Sequence, residues 1–314
     1  MNTNTKPVKS GFTTQEVSFL SNGLKLAGIL HVPQTANPMA PSPAIVIGHP
    51  GTAVKEQTAG LYAHLLAERG FVTLTFDAAY QGESEGMPRG LEDPAQRTED
   101  IKAAVSYLST LQIVDADRTG VLGICASGGY GVSAAATDPR IKAIATVSAA
   151  DVGRQFRNGG DGTQDISVIQ NMLYLAAQAR TATAKGAQES SFPIFPETEE
   201  QAKAMGLHVY EGWKYYCTEQ GQHPRSAKTF TWSSVDKIAG FDAFRFADMI
   251  APRPLLMIVG SEAVTKWMTE DALEVAKEPK ELFVIDGATH VDLYYNERFV
   301  IPAVTKLEQF FTKM

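Results

Sequence analysis

A chain of 314 residues that is 44% hydrophobic has enough apolar material for one large α/β domain or two smaller ones. Its formal net charge of −7 and the lack of any basic run argue against a nucleic-acid or anionic-membrane partner. Two cysteines, no apolar leader at the N-terminus and no stretch of membrane-spanning length together suggest a cytoplasmic protein with two free thiols. No C-x-x-C, H-E-x-x-H or G-K-[ST] occurs, so neither a metal nor a cofactor is expected.

Residues 1–11 read as a disordered or loosely attached arm. Two strand patterns follow, 14–20 and 24–32, joined by Ser21-Asn22-Gly23, a tight antiparallel hairpin turn. A proline-rich loop leads to Ala44-Ile45-Val46-Ile47-Gly48, a continuous apolar run expected of a strand buried on both faces. A helix over 58–69 ends at Gly70, and 71–76 forms another buried strand. Residues 93–111 read as a helix with Ile101, Ala104, Val105 and Leu108 on one face. A turn at 115–119 leads into the next strand.

That strand ends in Gly123-Ile124-Cys125-Ala126-Ser127-Gly128-Gly129. An apolar run closing in Gly-x-nucleophile-x-small-Gly carries a nucleophile from strand to helix, with small residues allowing their close approach. Cys125 occupies the nucleophile position. A second register would make Ser127 the nucleophile but would end the strand two residues too early; a third reading makes Cys125 an inert buried thiol. The stretch resembles the α/β-hydrolase superfamily and is similar to dienelactone-hydrolase-like enzymes, whose elbow reads Gly-x-Cys-x-Gly-Gly. It is more similar still to a bacterial subgroup with Gly-Ile-Cys-x-x-Gly-Gly-Tyr, related to fungal polyketide thiohydrolases. The resemblance spans about residues 12–312 and departs from the dienelactone hydrolases at Ser127.

After the elbow helix, 141–149 is a β-branched strand leading to Asp151. Strand and helix alternate to this point, which implies a doubly wound, mostly parallel sheet. From 152 to 250 the rhythm breaks, with helical patterns at 166–185 and 197–205. Aromatic residues then crowd in at Tyr210, Trp213, Tyr215, Tyr216, Phe230 and Trp232. The sheet resumes at 254–260 and 281–285, and a helix closes the chain near 300–311. The expected organisation is an α/β-hydrolase core over 12–151 and 251–314 with a helical cap inserted at 152–250.

The resemblance implies site residues. The loop after the first parallel strand, His49-Pro50-Gly51-Thr52, would give one oxyanion N–H from Gly51 or Thr52, and Ala126 the other. Tyr80, in a turn similar to the family's D-x-x-G-x-G-x-S, would wall the pocket, as would Trp213 and Tyr216 from the cap. His290 in Gly287-Ala288-Thr289-His290 stands where the family places its general base. His208 and His223 are read as surface or packing histidines. The acid is the weak point. Its usual position holds Ala263, which leaves Asp151, in a Val147-Ser148-Ala149-Ala150-Asp151-Val152-Gly153 stretch that matches the subgroup, and Glu262 as substitutes, ahead of Glu270, Asp271 or no acid at all.

A thiolate attacks carbonyls readily but also leaves readily, so turnover needs a substrate whose own leaving group departs more easily. Enolates, thiolates and activated phenolates qualify. The expected activity is hydrolysis of an enol-lactone, thioester or activated ester through a Cys-His-acid triad and an acyl-enzyme. Acyl transfer by the same site and a non-catalytic small-molecule receptor are the alternatives, and a homodimer is possible in principle.

Overall fold

The computed structural model describes residues 11–314. The arm expected over 1–11 thus lies outside the described residues except for Gly11, whose carbonyl accepts a hydrogen bond from the Gln34 N–H at 2.8 Å.

Asn22 and Gly23 take the positive φ angles (48° and 81°) that close the hairpin between β1 (Phe12–Ser21) and β2 (Leu24–Pro33). From there strands and helices alternate: β3 (Ser42–Gly48), α1 (Thr58–Ala67), β4 (Val72–Phe76), α2 (Pro94–Leu108), β5 (Val114–Ile124), α3 (Ala126–Thr137) and β6 (Ala143–Val147). Asp93 caps α2 through the N–H groups of Ala95 and Gln96, with Pro94 in the first turn, where its missing N–H costs nothing. The turn expected at 115–119 is already strand, because β5 starts at Val114 and pairs with Ser42 across a bulge.

Residues 152–250 hold α4 (Val152–Asn158), α5 (Ile166–Ala184), α6 (Glu199–Ala204), α7 (Leu207–Cys217) and α8 (Val235–Ala239). They also hold a small antiparallel pair, β7 (Ser191–Pro193) with β8 (Thr229–Thr231), so the segment is not purely helical as expected. The core resumes with β9 (Leu255–Gly260), α9 (Lys266–Val275), β10 (Lys280–Ile285), α10 (Asp292–Tyr295) and α11 (Glu297–Phe311).

The eight-stranded sheet runs β1-β2-β4-β3-β5-β6-β9-β10. Both β1 and β2 run antiparallel to their neighbours, while every pairing from β4 to β10 is parallel. Side-chain alternation splits the core in two. Ile45, Ile47, Leu122 and Ile124 pack with Tyr62, Leu66, Leu307 and Phe311 on one face. Ala44, Val46 and Val121 pack with Ile101, Val105 and Val132 on the other. Helices therefore cover both faces, and the parallel strands read as continuous apolar runs for that reason.

The chain builds outward from β3 in both directions, to β4 on one side and β5 on the other. Loops leaving the carboxyl ends of β3 and β5 therefore diverge, which opens a crevice between them. Gly48 and Gly123 pair directly at that edge. The first brings the Gly51 loop to the crevice and the second brings Cys125.

Candidate active site

A Cβ on Gly123 would lie 2.0 Å from the Ser127 carbonyl oxygen, so only glycine lets α3 fold back this closely on β5. The turn forces Cys125 to φ 53°, ψ −118°, a conformation costing about 1–3 kcal/mol that persists only where the surroundings impose it. They do so through the Cys125 carbonyl, which accepts from the N–H groups of Gly128 (2.8 Å) and Ala150 (2.9 Å). The thiol, which lines the cavity, lies beside the Tyr294 hydroxyl and the backbone N–H groups of Ala126 and Gly51, each of which favours its ionised form. Burial nevertheless pushes its pKa above the ordinary value of 9, so the thiol is protonated at neutral pH. Ser127 is buried and donates to the His49 carbonyl at 2.6 Å, so it takes no place in the cavity.

The β3 loop is held from behind by a buried cation. Arg97 donates to the His49 carbonyl (2.8 Å) and contacts His49 Nε2 (3.1 Å), and its own charge is met by Glu92 (3.4 Å), which also accepts from the Tyr130 hydroxyl. The His49 carbonyl, gripped by Arg97 and Ser127, faces away from the cavity. Of the two expected donors in this loop it is Gly51 whose N–H reaches the sulfur. Thr52 lines the cavity at φ 59°, and its hydroxyl has no partner.

His290 is buried in the loop between β10 and α10. Its carbonyl accepts from the Ser148 hydroxyl at 3.0 Å. Its Nδ1 lies 2.6 Å from Thr265 Oγ1, and its Nε2 lies 2.9 Å from the Tyr294 hydroxyl. Burial, then the nearby His208, lower its pKa well below 6.5, so the ring is neutral at pH 7. Tyr294 thus contacts both the imidazole and the thiol.

None of the carboxylates proposed from the sequence hydrogen-bonds this ring. Asp151 is fully buried, but its Oδ1 accepts from the N–H groups of Gly153 and Arg154 and caps α4, while its Oδ2 accepts from the Ala243 N–H at 2.9 Å. Glu262 is exposed and accepts from the neighbouring Ser261 hydroxyl. Glu270 pairs with Lys266, and Asp271 with Arg154 at 2.8 Å. The polar partner that the loop after β9 sends to His290 is Thr265, a neutral hydroxyl.

The cavity measures about 180 Å3 and opens over Cys125. The 152–250 segment lines it with Phe156, Phe195, His208, Tyr216 and Phe230, among others. Of the three substrate-contacting residues expected, only Tyr216 is there, buried, with its hydroxyl 3.5 Å from the Gly51 carbonyl. Tyr80 sits in its own turn at φ 69°, its ring packed against Gly86, outside the lining. Trp213 is half-buried on α7 and also outside it. His208, read from sequence as a packing or surface residue, does line the cavity, with its ring edge-on to His290 at 5.1 Å between centroids. His223 lines a separate surface groove.

Three residues at the site went unread. Tyr294 lies four residues after His290, a spacing that puts both on one side of a helical turn. Arg97 lies four before Ile101, a charge on the apolar face of α2. Thr265 left no comparable signal.

Among the described residues no group of three or more His, Cys, Asp or Glu side chains is placed to hold a metal ion, and no helix is long and apolar enough to cross a membrane. The sheet order, the elbow at the end of β5 and the histidine after the last strand define an α/β-hydrolase fold. The chain belongs to the family of X-Pro dipeptidyl-peptidase (S15 family), whose profile matches residues 22–290. It is 40% identical over 302 residues to protein YcjY of Escherichia coli (strain K12), covering 94% of this chain and 97% of that one. The crystal structure of the hypothetical protein PA2218 from Pseudomonas aeruginosa superposes with a TM-score of 0.90 at 35% identity, over 99% of this chain and 96% of that one. Thiohydrolase aneE of Aspergillus aculeatus is 28% identical, over 91% of this chain and 89% of its own length.

Proposed function

We propose that this protein hydrolyses thioesters, enol-lactones or comparably activated esters, with Cys125 as nucleophile and His290 as the base that serves it. One observation carries the reading. The Cys125 sulfur sits in the strained elbow with two backbone N–H groups, from Gly51 and Ala126, converging on it. A carbonyl carbon approaching the sulfur brings its oxygen into the reach of the same two donors, which then hold the oxyanion of the tetrahedral intermediate. Removing one such donor typically costs about 100- to 1000-fold in kcat.

The choice among acyl substrates follows from leaving groups. With a neutral hydroxyl at His290 Nδ1, the imidazole lacks the carboxylate that stabilises a charged ring in a Ser-His-Asp site. Such a base suits a thiol better than an alcohol, because the thiol ionises more easily. Thiolate in turn suits substrates that expel a thiolate or enolate. The name of the aneE relative, a thiohydrolase, agrees with this class. Peptide cleavage fits less well. An amine leaves poorly, and no Asp or Glu among the described lining residues would receive a free N-terminal ammonium group of an X-Pro peptide. The cavity is walled mostly by aromatic and aliphatic side chains, which suits an apolar acyl group of modest size.

Parallel assays of acyl thioesters, enol-lactones and p-nitrophenyl and alkyl esters, with native protein and Cys125→Ala, test the proposal. Turnover of the first two classes that is abolished by the substitution is expected. Turnover confined to peptides, or untouched by Cys125→Ala, would refute it.

A further inference from the structure

The Tyr294 hydroxyl is 2.9 Å from His290 Nε2 and lies against the Cys125 thiol, whose ionised form it favours. Tyr294 is only 3% exposed and its ring is fixed edge-on by Tyr215, at 5.3 Å between centroids. It follows His290 by one helical turn, anchored by its own N–H to the Val291 carbonyl at 2.9 Å. A phenol is both donor and acceptor, so it can link two groups that exchange a proton. Burial holds its pKa well above 10, so it passes protons as a neutral hydroxyl and does not ionise at rest.

We propose that Tyr294 is a catalytic residue: its hydroxyl conducts the proton from Cys125 to His290 and then delivers it to the departing group. This rests on the reading of Cys125 as nucleophile. In the first step the thiol S–H proton moves to the Tyr294 oxygen while the Tyr294 O–H proton moves to His290 Nε2. The sulfur forms its bond to the acyl carbon, and the carbonyl π electrons go to the oxygen held by Gly51 and Ala126. When the intermediate collapses, the bond to the leaving group breaks with its electron pair. That anion takes the Tyr294 proton, and the Nε2 proton refills the phenol. Water enters by the same route: its proton goes through Tyr294 to His290, hydroxide adds to the thioester carbon, and the expelled thiolate is reprotonated by the same relay. The Thr265 hydroxyl at Nδ1 serves both halves, since it accepts from Nδ1–H when the ring is charged.

A residue that only packed the site would affect all substrates alike; a proton donor to the leaving group affects them by leaving-group basicity. S-phenyl and S-ethyl thiobutyrate share one acyl group and differ in how much the expelled thiolate needs a proton. Tyr294→Phe is expected to lose roughly 100-fold or more on the ethyl compound, and at least about tenfold less on the phenyl compound. The native protein should also give a curved proton inventory in mixed light and heavy water, since two protons move together. Equal losses on both thioesters, or a linear inventory, would overturn the relay while leaving Cys125 as the acylated residue. If Tyr294→Phe does not fold, the native inventory decides alone. Turnover that survives Cys125→Ala would overturn the nucleophile reading, and the relay with it.

Discussion

Thr265 Oγ1 lies 2.6 Å from His290 Nδ1, so the position from which a triad acid would orient the histidine is filled by a neutral hydroxyl. Both ring nitrogens face hydroxyls, Thr265 at Nδ1 and Tyr294 at Nε2; in the tautomer that serves as a base, Nδ1–H donates to Thr265 and Nε2 accepts from Tyr294, with no negative charge beside the ring. That absence of charge also accounts for the imidazole staying neutral, since burial lowers its pKa and no carboxylate opposes the shift.

Thr265→Val keeps the shape and removes the acceptor. A buried N–H left without a partner costs about 1–3 kcal/mol. We expect kcat/KM to fall by roughly tenfold or more, while Thr265→Ser retains most of the activity. Unchanged kcat/KM in the valine variant would mean that the hydroxyl does not hold the ring.

Asp151 is expected to act on stability. Both its oxygens are occupied by backbone N–H groups, from the start of α4 and from Ala243. Asp151→Ala removes a cap and a tie between segments, at about 1–2 kcal/mol. A thermal melt should show the loss, and the folded variant should keep its pH–rate profile. A large fall in kcat with an unchanged melting temperature would restore Asp151 as a triad acid.

The pH dependence follows from two opposite shifts. The His290 pKa is lowered below 6.5, so the base is available from below that pH upward and is lost only as the pH falls through its own lowered value. The Cys125 pKa is raised above 9, so the free thiolate accumulates only as the pH climbs past that value. The acid limb of kcat/KM should therefore lie below 6.5, and the rate of alkylation by iodoacetamide should still be rising at about pH 9. An alkylation rate that is flat across neutrality would indicate a resting thiolate–imidazolium pair and contradict this account.

Much of this was legible because it depends on local chemistry. Asn22-Gly23 dictates a hairpin, continuous apolar runs dictate strands covered on both faces, and Gly123 and Cys125 dictate the elbow. Asp151 carries a second local signal beside its match to the subgroup. An Asp before a helix start is a capping signal, and in Asp151-Val152-Gly153 that role takes Oδ1 while the Ala243 N–H takes Oδ2. What stayed hidden depends on which face a side chain presents after tertiary packing. Aromatic content around 210–232 pointed to a pocket wall, but only the rotation of α7 decides that Tyr216 faces in and Trp213 does not. The same rotation turns His208 toward His290. Thr265 carries no charge or period that marks it, so its role became visible only once β9 and the His290 loop were side by side.

The central claim is that an acyl group is carried on the Cys125 sulfur. Mixing the native protein with S-phenyl thiobutyrate, quenching in acid within one turnover and mapping the peptides by mass spectrometry reads this directly. The account predicts a single butyryl group on the peptide containing Cys125, localised to the sulfur, formed before free acid appears and absent in Cys125→Ala. A butyryl group on Ser127, or full turnover with no acylated peptide, would contradict it.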